Sequence, residues 1–108
     1  MESLNRVELI GKVGNCNITR IADTEVLRMS VATTYGYEST DGSKIYETTW
    51  HNVTAWKGEK VTAETIHGID KGTDVRVVGR LRAIRFTDSE GNDRTTYEIM
   101  ANEIELVK

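Results

Sequence analysis

Residues 48–56, TTWHNVTAW, contain both tryptophans of this 108-residue chain, six positions apart. In an extended strand side chains alternate between faces. Thr48, Trp50, Asn52, Thr54 and Trp56 then share one face, and Thr49, His51, Val53 and Ala55 share the other. The large rings therefore sit with the polar residues. A second stretch, VRVVGRLRAIRFT at 75–87, holds Arg76, Arg80, Arg82 and Arg85 with no acid, whereas residues 88–105 carry six acids against Arg94 alone. The net charge is only −3, but local fields rather than the total decide what binds where.

Outward aromatics beside arginines match the chemistry of an unpaired nucleic-acid strand. Cations neutralise phosphates, and flat rings stack on bases at about 1–3 kcal/mol each, with little dependence on base identity. At about 3.3 Å per residue the two indoles lie about 20 Å apart and would meet different bases. Stepping by two from Arg76 places Arg76, Val78, Arg80, Arg82, Ile84 and Phe86 together. The alternate set, Val75, Val77, Gly79, Leu81 and Ala83, reads as core until Arg85. In the preceding strands Arg28 and Ser30 face away from Leu27, Met29 and Val31. The same residues also fit blander roles. Tryptophans can cover a barrel end or an oligomer contact, Tyr35 and Tyr37 can be strand-edge packing, and four arginines can guard a solvated edge against aggregation. His51, on the Val53 side, reads as buried or interfacial.

Catalysis finds no support in the residues. His51 and His67 lie far apart without a metal-ligand pattern, and the single cysteine, Cys16, stands in GNCNIT without a partner base. GKVGN at 11–15 reads as a turn and not as a phosphate loop. No enzyme, metal or cofactor is expected. No apolar run approaches the roughly 20 residues that cross a bilayer, and the N-terminus resembles neither a signal nor a transit peptide. One cysteine suits a reducing compartment, so a cytoplasmic location with no membrane partner is expected.

Five strand-like runs must position these groups: 6–14, 25–34, 44–56, 74–87 and 94–107, each rich in Val, Ile, Thr or aromatics. TDGS at 40–43 and DSEGND at 88–93 read as hairpin loops. GEKVTAETIHGID at 58–70, bracketed by Gly58 and Gly72, spaces Val61, Thr65, Ile66 and Ile69 for a short helix. With neither a repeat nor a linker, residues 1–108 read as one domain. The order of three strands, a helix and two strands is that of the OB-fold, a mostly β, five-stranded antiparallel Greek-key barrel.

NRVELIGKVG, SVATTY, TTWHNVTAWKG, KGTDVRVVGRLR and FTDSEGNDRTTYEIMANEI together resemble the bacterial single-stranded DNA-binding protein family over nearly the whole chain. The resemblance implies stacking roles for Trp50, Trp56, Phe86 and, more loosely, Tyr37. It implies phosphate contacts for Arg82 and Arg85, with Arg28, Lys57 and Lys60 alongside, and a subunit contact for His51. It further implies a homo-oligomer, usually a tetramer, that binds single-stranded DNA in replication, recombination and repair. RNA stays open as a ligand, because stacking does not read the sugar. Members usually continue into a flexible linker and an acidic tip that recruits partner enzymes. The sequence reaches Lys108 without such a segment, so recruitment through it is not expected of these residues. Two other readings remain at this point: a short primosomal-type dimer acting in replication restart, and an OB-fold module that docks proteins.

Overall fold

The computed structural model describes residues 2–107. Five strands, β1 (Val7–Ile21), β2 (Thr24–Glu38), β3 (Lys44–Trp56), β4 (Asp74–Thr87) and β5 (Asp93–Leu106), close into a barrel in the order β1-β2-β3-β5-β4. The helix α1 (Ala63–His67) follows β3. Four seams are antiparallel, as expected. The fifth, between β3 and β5, is parallel and only three pairs long, from Val53↔Ile99 to Ala55↔Ala101.

The odd-numbered residues of β2 and β3, Leu27, Met29, Val31, Val53 and Ala55, point inward and meet Val75, Val77, Ile99 and Ile104 in one core. Ile66, Val61 and Ile69 close one end of it from the helical segment. That helix is shorter than the 58–70 span read from its apolar spacing. The Thr62 hydroxyl accepts the Thr65 N–H at 3.2 Å and caps its start, while Gly68 ends it by donating back to Glu64 and Thr65. The effective brackets are therefore Thr62 and Gly68, inside the glycines at 58 and 72.

Strand β1 also differs from expectation. Residues 11–15 are not a turn but part of the strand, which is irregular between Val13 and Cys16 and runs on to Ile21. It then reverses through Ala22 and Asp23, with Ala22 at φ 54°. A tight reversal normally signals itself with Gly or Asn at positive φ, and an alanine there gives no such cue.

The two other hairpins project beyond the barrel. The β2–β3 ladder continues out to Glu38↔Lys44 and the β4–β5 ladder to Thr87↔Asp93. The radius of gyration is 16.3 Å, against about 13 Å for a compact chain of this length, so these arms are genuine extensions. Their tips use one device. Gly42 and Gly91 turn at positive φ, and an aspartate closes each loop over backbone N–H groups. Asp41 accepts the Ser43 N–H at 2.9 Å and the hydroxyls of Ser39 and Ser43. Asp88 accepts the N–H groups of Glu90 and Asn92 and the Arg94 guanidinium.

These donors lower the Asp41 pKa from its usual 3.8 to about 2, the Ser39 hydroxyl contributing most. A carboxylate with a native pKa below its unfolded value stabilises the fold above the unfolded pKa, and that contribution disappears as pH falls through the native one. The Asp41 loop should therefore keep its order at pH 4 and loosen only toward pH 2. Following the Asp41 carboxyl carbon by NMR checks this; a midpoint near 3.8 would show that the hydroxyl cage does not persist in solution.

Candidate nucleic-acid interface

Alternation and pairing bring the outward side chains of four strands onto one surface. Arg28 on β2 pairs with Thr54 on β3, Thr54 with Met100 on β5, and Met100 with Arg80 on β4. This row spans three strand spacings, about 14 Å of sheet, with an arginine at each end. Trp50 and Trp56 flank it on β3, 58% and 44% exposed, and Phe86 lies farther out on β4 at 46%. The expectation of outward rings holds in the structure. Thr54, in contrast, is buried despite its outward parity, because its hydroxyl donates to Glu98 at 2.7 Å across the parallel seam.

Trp50 does not stand free. Its ring lies against Gly14 of β1, where an added Cβ would come 2.4 Å from Cζ3 and 2.8 Å from Cη2. The absent side chain at Gly14 makes room for the ring edge, and the residue stays 58% exposed. Trp56 borders a groove of about 670 Å³ shared with Lys60, Arg80 and Asn102. A second groove, of about 370 Å³, takes in Arg28, Ser30, Asn52 and Tyr97.

Charge pairing sorts the cations. Arg76 is withdrawn: its guanidinium meets Glu8 at 2.6 Å and Glu105 at 3.5 Å. Its hydrogen bond and positive charge hold Glu8 below the usual carboxylate range. Arg94 is engaged by Asp88 at 2.9 Å. Arg82 lies 3.7 Å from Glu98, a loose contact. Among the described residues, Arg28, Arg80, Arg85, Lys57 and Lys60 have no carboxylate within ion-pair distance. The Lys57 backbone N–H donates to the Glu25 backbone carbonyl at 3.0 Å.

Two sequence-derived candidates fall on the other face. Tyr37 pairs with Ile45 and belongs with His51 rather than Trp50; its ring stacks on Tyr35 at 6.2 Å. Arg85 pairs with Thr95 on the side of Leu81 and Ala83. Leu81 and Ala83, expected in the core, are exposed because β4 has left the barrel beyond Gly79. His51 is half-buried, with Nε2 2.8 Å from the Thr33 hydroxyl. Sequence reasoning passed over Arg80 as a site residue, and over the exposed rings of Tyr46 and Tyr97. For Arg80 and Tyr46 the signal was present, since each shares even parity with an arginine or tryptophan already singled out. Among the described residues no group of three or more metal-capable side chains gathers, and no helix is long and apolar enough to cross a membrane.

A closed five-stranded barrel with its helix after β3, bearing open rings and cations on one flank, is an OB-fold of the kind that presents a binding surface rather than an enclosed pocket. Residues 4–107 match the profile of the Single-strand binding protein family, and the chain belongs to that family. It is 40% identical over 111 residues to single-stranded DNA-binding protein 1 of Xylella fastidiosa, covering 99% of this chain and 79% of that one. It is 32% identical to a single-stranded DNA-binding protein of Neisseria meningitidis, covering 97% of this chain but 60% of the relative. Among solved structures, the Plasmodium falciparum SSB in complex with ssDNA superposes with a TM-score of 0.81 at 25% identity, covering 99% of this chain and 96% of the other. The small single-stranded DNA-binding protein from Streptomyces coelicolor has the same fold, with a TM-score of 0.75 at 21% identity and the same coverages.

Proposed function

We propose that this chain binds single-stranded DNA with little sequence preference and shields it during replication, recombination and repair. The observation that carries the reading is the juxtaposition on one surface of open indole faces and arginines without acidic partners. Trp50, Trp56 and Phe86 supply stacking planes. Arg28, Lys57, Lys60 and Arg82, joined by Arg80, supply phosphate contacts. Tyr37 and Arg85 serve a strand that passes round the arms to their other face. Binding is non-covalent, no step needs a catalyst, and we assign the chain no enzymatic role.

Homo-oligomerisation, to a tetramer as in the resemblance, would raise the effective concentration of such surfaces on one strand. The exposed apolar side chains of Ile10, Leu81 and Tyr97 and the half-buried His51 support a subunit contact. Native mass spectrometry separates tetramer from dimer. A cytoplasmic location fits the ligand and the unpaired Cys16.

Titrating oligo-dT while following intrinsic fluorescence tests the reading. Stacking should quench the tryptophan emission in a saturable way. Unchanged emission, with no oligonucleotide retained in a gel shift, would turn the reading toward a module that docks proteins.

A further inference from the structure

The β2–β3 arm repeats, farther out, the construction that seats Trp50. Tyr46 has even parity on β3 and lies on the Trp50 face, about 13 Å beyond it at four residues' rise. It pairs directly with Gly36, and its ring lies over that glycine: an added Cβ there would come 2.9 Å from Cε1 and 3.1 Å from Cδ1. The Cδ1–Cε1 edge of the ring thus rests against backbone while the residue stays 66% exposed. Beside it opens a groove of about 230 Å³, bordered by Tyr37, Glu38 and Lys44. Lys44 has no carboxylate within ion-pair distance among the described residues. Between the two rings Thr34 and Thr48 share a hydrogen bond of 3.2 Å, a small polar surface that leaves room for a backbone to pass.

We infer that Tyr46 is a third base-stacking platform, with Lys44 contacting the adjoining phosphate, so that the strand-binding track runs from Trp56 past Trp50 onto the β2–β3 arm. The inference rests on the single-stranded DNA reading and extends it. A ring already braced against backbone loses little freedom when a base arrives, which lowers the ordering cost of stacking. Tyr37 borders the same groove from the opposite parity of the arm, where its ring stacks on Tyr35.

Affinity for a long oligo-dT should fall roughly 5- to 150-fold in Tyr46→Ala, the range for loss of one stacked base, and stay within about twofold in Tyr46→Phe, which keeps the ring. A second measurement does not depend on the alanine variant. Tyr46→Trp is introduced together with Trp50→Phe and Trp56→Phe, leaving one indole as reporter. Quenching of that emission by oligo-dT supports a base at this position. Unquenched emission, or wild-type affinity in Tyr46→Ala, overturns the inference while quenching in the unmodified protein keeps the broader reading. Absence of quenching in the unmodified protein overturns both.

Discussion

Raising the salt concentration is expected to weaken oligo-dT binding by orders of magnitude. Each phosphate neutralised on a single strand releases counterions and contributes a log–log slope of about −0.7. Arg28, Lys57, Lys60, Arg80, Arg82 and Arg85 are open or loosely held. If all six engage phosphates the slope approaches about −4, and a tenfold rise in salt costs roughly four decades of affinity. The ion pairs sharpen the expectation. Arg80→Ala should make the slope shallower by about 0.7, whereas Arg76→Ala should leave it unchanged, because Glu8 and Glu105 already neutralise that guanidinium. Fluorescence titrations at a series of salt concentrations read both numbers. A flat dependence in the unmodified protein would mean that the arginine row does not touch the strand.

Removing both indoles should produce the other large effect. Trp50→Ala and Trp56→Ala are each expected to cost about 1–3 kcal/mol of binding, and together about 2–6 kcal/mol. Near-additivity follows from their separation of about 20 Å along β3, since distant sites sum to within roughly 0.5 kcal/mol. Thermal unfolding should change little, because both rings lie outside the buried core. Calorimetric or fluorescence-anisotropy titration of the two single variants and the double variant tests this. A double variant no weaker than one single variant would mean that bases occupy the rings alternately. Loss of fold in a single variant would mark that ring as structural.

The sequence disclosed the barrel where each strand carries its own alternation. β3 and β4 begin and end at the expected residues, and the two glycine-bearing loops fall at the arm tips. It concealed what depends on distant partners. The withdrawal of Arg76 requires Glu8, 68 positions away. The burial of Thr54 requires Glu98 across a parallel seam. Alternation also says nothing of where a strand leaves the barrel, so Leu81 read as core although the ladder with β1 ends at Gly79. The face of Tyr37 follows from counting along β2 from Leu27, but the sequence marks the strand only to residue 34 and the structure carries it to Glu38. Tyr46 needed only a further count of four back from Trp50, and its glycine seat only the structure.

The short seam between β3 and β5 has a mechanical consequence. Every other closure of the wall is a longer ladder, from six pairs between β1 and β4 to thirteen between β2 and β3, so stress concentrates on the three-pair join and its Thr54–Glu98 latch. The indoles stand on one lip of that join and the Arg80–Arg82 segment beyond the other. Slight gaping there would widen the gauge between rings and guanidinium groups while the neighbouring ladders stay intact. On the proposed reading, purines and pyrimidines of unequal breadth would then share one surface, with compliance rather than a separate fitted slot for each base.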